Sequence, residues 1–272
     1  MAFVKTKHGK VHYQAQGEGP CVVLVRGLGR WSAHWNGWDA LLAKTCKVIT
    51  FDNKGLGQTT TPMRLWHSLT SLADDIYLIL RHERIETAHV VGTSLGGMVA
   101  AEFALRHPKM TESITMIGSS IGRSGHFRIS TRAAKLLVVA PIKKLAIYDE
   151  LANLLTAPKT PKAVKDRLAH DWRKEDSKVK QPLSTVLAQL IAALRFRDWE
   201  KLQDIRCPAM VIVGRQDQFV PRGNSLFLHE KMPGSQLIEI EDAGHEPHVD
   251  KPEMLTQIVS EFVFSHDLMS RT

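Results

Sequence analysis

Short apolar runs rich in β-branched residues alternate along this chain with stretches whose apolar residues recur at helical spacing. The runs CVVLV (21–25), KVITF (47–51), AHVVG (88–92) and SITMI (113–117) are apolar throughout, the pattern of strands covered on both faces. Between them, residues 68–84 set Leu69, Leu72, Ile76, Ile79 and Leu80 on one helical face, and residues 96–106 do the same with Met98, Val99, Ala101 and Leu105 before Pro108 stops the helix. Strands that alternate with helices of this kind build a mostly parallel sheet flanked by helices, so the fold class is α/β. At the N-terminus, residues 3–6 and 10–15 flank the turn signal His8-Gly9, which predicts an antiparallel entry hairpin outside the parallel sheet.

After Ile117 the strand rhythm stops for about ninety residues of helix-like sequence broken by Pro141, Pro158, Pro161 and Pro182. It resumes with AMVIVG (209–214) and QLIEI (236–240), and an amphipathic helix over 252–264 closes the chain. The expected organisation is one core, residues 1–120 and 207–272, interrupted by a helical insertion at 121–206. That insertion holds 18 Lys and Arg against 9 Asp and Glu, whereas the rest of the chain is balanced at 18 against 19, so the formal charge of +8 has one source. A basic balance of this kind speaks to solubility and weak anion attraction before it specifies nucleic acid. No apolar run reaches the ~18 residues of a membrane span, and nothing resembles a secretory leader, so the expected location is the cytoplasm. Cys21, Cys46 and Cys207 are odd in number and lie beside apolar runs, which reads as core packing rather than a disulfide framework.

Gly92-Thr93-Ser94-Leu95-Gly96 fits G-x-S-x-G and falls between the AHVVG strand and a helical pattern. A sharp strand-to-helix turn there lifts the Ser94 hydroxyl above the sheet edge, and the Leu95 backbone NH, at the helix start, is placed to bind a developing oxyanion. A serine nucleophile needs a base and an acid that orients the base. Asp217 follows the AMVIVG strand and His245 follows QLIEI, each just past a strand's C-terminal end, where open α/β sheets place their sites. The order Ser, Asp, His is the one this chemistry takes on such a sheet, with His245 as base and Asp217 holding its tautomer. His34, His67, His82, His89, His107 and His248 lack the paired spacing of a metal site and read as surface or core residues.

Five segments carry a resemblance to the α/β-hydrolase superfamily over nearly the whole chain: VLVRGLG, FDNKGLGQT, VGTSLGGMVAAEFALRHP, IVGRQDQFVP and AGHEPHVDKP. They are similar to that family's oxyanion loop, glycine turn, nucleophile elbow, acid loop and histidine loop. The resemblance implies a triad of Ser94, Asp217 and His245, no cofactor, no metal, and a helical cap inserted after the strand that ends near Ile117. It also implies a second oxyanion donor in the backbone NH of Leu28. The chain departs from the family at Arg26-Gly27, where many relatives have His-Gly. A guanidinium there has two readings: a contact to a substrate carboxylate or phosphate, or a pair with a nearby acid or backbone carbonyl. Lys54 stands where relatives often have Arg, in a segment that reads as structural turn chemistry.

A serine at the elbow argues against the dehalogenases and epoxide hydrolases of that superfamily, which use Asp there. The leading expectation is a carboxylesterase-like serine hydrolase acting on a small ester or acyl substrate through an acyl-enzyme. Thioesterases, lactonases, amidases, carbon–carbon bond hydrolases and cofactor-free perhydrolases share the triad, and a non-catalytic hydrolase-like binding protein or a nucleic-acid binder stands further off. The basic insertion, with Arg123, Arg128, Arg132, Lys143, Lys144, Lys162, Lys165 and Arg173, offers either a surface for an acidic acyl carrier or a solvated helical face.

Overall fold

The computed structural model describes residues 2–120, 129–139, 147–179, 182–196 and 198–267. Its described strands are β1 (Ala2–Thr6), β2 (Gly9–Gln16), β3 (Cys21–Val25), β4 (Lys47–Phe51), β5 (Ala88–Thr93), β6 (Thr111–Ile117), β7 (Ala209–Gly214) and β8 (Gln236–Ile240). They form one sheet in the order β1-β2-β4-β3-β5-β6-β7-β8, parallel from β4 onward. The N-terminal hairpin does form, but it does not stand apart: β2 pairs antiparallel with β4, Tyr13 opposite Phe51. The reason is burial, since consecutive residues Val11, His12 and Tyr13 are all covered, which demands packing on both faces of β2.

Helices α2 (Leu69–Glu83) and α3 (Leu95–Arg106) follow their strands as the periodicity predicts, and a short helix, α1 (Trp38–Leu42), precedes β4. Between β6 and β7 the described residues are helical: α4 (Thr131–Val139), α5 (Ile147–Leu155), α6 (Lys162–Lys178), α7 (Leu183–Arg195) and a 3-10 segment, Asp198–Asp204. Then come α8 (Gly223–Lys231), the single turn α9 (Pro247–Asp250) and α10 (Pro252–His266). One core layer joins the sheet to α2, α3 and α8 through residues such as Val90, Ile76, Met98 and Leu228. The opposite layer packs α1 and α10 on the other face through Trp38, Leu255 and Val259. A third cluster gathers Leu136, Leu154, Leu168 and Trp172 of the helical segment with Phe219 and Val220, just after β7. That third cluster seats the helices on the C-terminal edge of the sheet, where β5, β7 and β8 end.

Candidate active site

Ser94 is the junction residue between β5 and α3, and its backbone (φ 55°, ψ −120°) lies in a region that L-residues avoid. Such a conformation costs on the order of 1–3 kcal/mol and persists only where the surroundings enforce it. Here the Ser94 amide donates to the Ile117 carbonyl of β6 at 2.8 Å, and the chain on either side crosses itself closely. A Cβ on Gly92 would stand 2.1 Å from the Gly96 carbonyl oxygen, so no larger residue fits that position of the elbow.

Asp217 and His245 meet across neighbouring strand ends. The Asp217 Oδ2 accepts from His245 Nδ1 at 2.8 Å, while Oδ1 accepts the amides of Phe219 and Val220 at 2.8 and 2.9 Å. Both side chains are buried, and the Phe219 ring lies 4.9 Å from the imidazole. Backbone bonds from Arg215 to Ile240 and from Gln216 to Ala243 lock the acid loop to the histidine loop. The histidine loop is in turn held from the helical segment, because Glu246 donates its amide to Leu155 O and the Asp250 carboxylate accepts from Gly244, Ala157 and Thr160. Burial would push the His245 imidazolium down, but the charge and hydrogen bond of Asp217, helped by Glu246, outweigh it and hold the group above its ordinary value.

The loop after β3 closes against the elbow. A Cβ on Gly27 would lie 3.0 Å from the Ser94 Cβ, so the loop touches the serine directly. A turn with Arg30 N donating to Gly27 O carries Leu28 at its apex, and the Gly29 amide donates to Gln189 Oε1 of α7 at 2.9 Å. Among the described residues, neither the Leu28 nor the Leu95 amide has a hydrogen-bond partner. A cavity of about 500 Å³ opens over Ser94 and His245, within the range of ligand clefts. Leu136, Ile147, Leu151, Leu155, Val186 and Phe219 make most of its wall apolar.

The two readings of Arg26 are decided against a substrate contact. Arg26 is 1% exposed and does not line the cavity; it donates Nη1 and Nη2 to the two carboxylate oxygens of Glu246 at 3.0 and 2.9 Å, with its guanidinium 4.6 Å over Trp35. Its fork is already filled by a carboxylate, and the group is sealed from the cavity. Burial would raise the Glu246 carboxyl, but Arg26 and His248 hold it down at about 2. His248 Nδ1 stands 3.1 Å from Glu246, and burial pushes that imidazole down to about 3, so it is neutral. Sequence reasoning did not single out Arg30, which is on the cavity wall, or Gln189, which accepts from Gly29 of the loop after β3 from a different element.

With the serine, the hydrogen-bonded Asp–His pair and the two free amides assembled at one sheet edge, comparison with known proteins becomes specific. The sequence model described as the alpha/beta hydrolase fold matches residues 20–252. The chain belongs to the α/β hydrolase family. It is 27% identical over 267 residues to RutD of Agrobacterium fabrum, named as a carbamate hydrolase, covering 96% of this chain and 99% of that one. It is 29% identical over 252 residues to a pimeloyl-[acyl-carrier protein] methyl ester esterase of Aeromonas hydrophila, covering 91% and 96%. Among solved structures, an enol-lactonase from Burkholderia xenovorans superposes with a TM-score of 0.82 at 21% identity, covering 97% of this chain and all of that one. At that identity the likeness speaks for the fold.

Other residues of this α/β hydrolase fall outside the site. Lys54 is buried in an ion pair with Asp75, a structural role, and Cys46 is buried while Cys21 and Cys207 are half-buried, all three free. The three side chains His89, Glu112 and Asp267 bring potential metal ligands within 4.8 Å of one another, but His89 is the second residue of β5, near the end away from Ser94, and already engages Ser113 at 2.7 Å and Glu112 at 3.3 Å. Of the basic residues in the insertion, Arg123, Arg128, Lys143 and Lys144 lie outside the described residues. Lys162 pairs with Asp166, Arg173 with Asp149, Lys165 bonds Pro158 O and Arg132 reaches Gln218, all on the exposed face of the segment. No helix among the described residues is long and apolar enough to cross a membrane.

Proposed function

We propose that the protein is a serine hydrolase that cleaves carboxylic esters of small acyl substrates through an acyl-enzyme on Ser94. The observation that carries this reading is the buried Asp217–His245 hydrogen bond beside a strained serine in one apolar cavity. With Nδ1 engaged by Asp217, the Nε2 of His245 is the nitrogen left to take the Ser94 proton as Oγ attacks the ester carbonyl. The amides of Leu28 and Leu95 donate to the oxygen that becomes negative in the tetrahedral intermediate. As the intermediate collapses, the C–O bond to the alcohol breaks and His245 gives the alcohol its proton. Water, deprotonated by the same imidazole, attacks the acyl carbonyl, and Ser94 leaves with the proton returned. Asp217 stabilises the imidazolium in both halves.

The relative from Aeromonas hydrophila is named for an ester borne on acyl carrier protein. Here Lys162, Lys165 and Arg173 of the helical segment are each bonded within the chain, which favours a small free ester over docking of an acidic carrier.

A fluorophosphonate probe tests the nucleophile: covalent labelling of the native protein and none of Ser94→Ala is expected, with hydrolysis of a p-nitrophenyl ester falling by roughly 10⁴–10⁶-fold in kcat. Equal labelling of both proteins would refute the role of Ser94. Thioesters, lactones and amides assayed beside the ester then rank the acyl bonds the site accepts.

A further inference from the structure

Arg30 is a second guanidinium on the loop after β3, and its surroundings differ from those of Arg26. It lines the cavity over Ser94 yet is only 8% exposed. Its guanidinium carbon lies 3.9 Å over the ring of Trp172 of α6, a stack that covers one face of the group and leaves the in-plane N–H donors unused. Nη2 is buried with no hydrogen-bond partner, and no ion pair or side-chain hydrogen bond of Arg30 forms among the described residues. The nearby acid on the same wall, Asp176, is engaged elsewhere: it accepts from Trp31 Nε1 at 3.1 Å and Tyr148 Oη at 3.0 Å, with His34 Nε2 3.2 Å away. Glu246, the other acid at the cavity, is held by Arg26.

A buried guanidinium without an acceptor is costly, and the groups that could satisfy it from the protein are taken. What remains is a ligand in the cavity. We propose that Arg30 is a substrate-binding residue that takes a carboxylate, so that the esters this site prefers carry a free carboxylate on an apolar acyl chain, as a half-ester of a dicarboxylic acid does. With both acids of the wall engaged elsewhere, this unpaired cation matches a single negative charge, and its forked donors match the two oxygens of a carboxylate. Arg30 and Leu28 share one turn, closed by the Arg30 amide on Gly27 O. The carboxylate anchor and the oxyanion donor are therefore fixed to each other, and the distance between charge and scissile carbonyl sets which chain length reacts. This assignment rests on the proposed serine-hydrolase chemistry for its reaction, but the anion site itself is a matter of binding.

The test compares p-nitrophenyl half-esters of linear dicarboxylic acids with the same compounds capped as neutral methyl esters, across chain lengths and at low and high salt. In the native protein kcat/KM for the anionic member is expected to exceed that of its neutral partner by about ten- to a hundred-fold at one favoured length. The preference should survive high salt, because a buried contact is weakly screened. In Arg30→Gln the ratio of anionic to neutral kcat/KM falls toward one and the length optimum flattens, through KM; in Arg30→Lys, which keeps the charge and loses the fork, the ratio falls several-fold. A native ratio of one or less, a ratio abolished by salt, or a ratio unchanged in Arg30→Gln overturns the proposal, and if that variant does not fold, an unchanged ratio in Arg30→Lys does so. Neutral esters hydrolysed in a Ser94-dependent way alongside any of those results leave the hydrolase reading standing. Should no ester of either kind react, the hydrolase reading is the one that fails. Binding of the free dicarboxylates, read as a rise in melting temperature lost in Arg30→Gln, then still decides the anion site.

Discussion

The wall behind His245 and the wall of the cavity above it are built from similar parts and end in different states. Each holds a buried arginine on an indole face, Arg26 on Trp35 and Arg30 on Trp172, with a neutral buried histidine close by, His248 in one case and His34 in the other. Behind His245 the guanidinium meets Glu246 in a forked pair and only Nε lacks a partner. In the cavity wall the carboxylate, Asp176, is turned to Trp31, Tyr148 and His34, and the Arg30 guanidinium is left without an acid partner among the described residues. The first arrangement is a closed structural unit and the second is an open binding surface. Burial of a charged residue does not separate the two; the fate of the matching acid does.

Variants that strike each wall separate them quantitatively. The scale is set by Asp217→Asn, which leaves the geometry but reverses the imidazole tautomer and is expected to lower kcat by about 10⁴-fold in ester turnover. Glu246→Leu strands Arg26 as an unpaired buried charge, and chemical denaturation should show a loss of roughly 3–5 kcal/mol, most of it recovered when Arg26→Met is added. Arg30→Met is the contrasting case: with no carboxylate left unpaired, the same measurement should move by less than about 1 kcal/mol. If Arg30→Met destabilises as much as Glu246→Leu, the distinction between the walls is lost.

The two walls also diverge with pH. His248 and His34 are held neutral, at about 3 and about 4, so the unfolded chain gains protons below about 6.5 that the native one refuses. Stability is therefore full above that pH and is lost as pH falls toward those values, and Glu246 adds a further loss between about 4.5 and about 2. Thermal unfolding at stepped pH should show the Glu246 component vanish in the double variant Arg26→Met, Glu246→Leu while the His34 component remains. The smallest effect concerns activity: His245 must be neutral to act as base, so kcat/KM should rise with pH through a midpoint above that of an ordinary histidine. Glu246→Gln should move that midpoint down, because one of the charges that favour the imidazolium is gone.

Several elements were legible because their signals are local. The core strands and α2, α3 and α10 follow from apolar periodicity, with boundaries shifted by a residue or two where a strand or helix runs on, as β6 does from Thr111 rather than 113. Ser94, Asp217 and His245 stand out because each follows a strand. The hairpin's place in the sheet was missed because pairing of β2 with β4 joins residues some forty positions apart, which no local pattern records. Arg30 was missed for the same reason: in sequence it is one more cation in a glycine-rich loop.

Sequence alone determined the α/β architecture, the turn that strains Ser94 and the placing of Ser94, Asp217 and His245 at strand ends, since backbone periodicity and strand ends are properties of neighbouring residues. Tertiary structure alone decided what the two loop arginines are for. Arg26 is satisfied by an acid 220 positions away, whereas Arg30 lines the cavity stacked on Trp172 while Asp176 bonds elsewhere. Charge type can be read from a sequence, but whether a buried charge has a partner depends on side chains that only folding brings together.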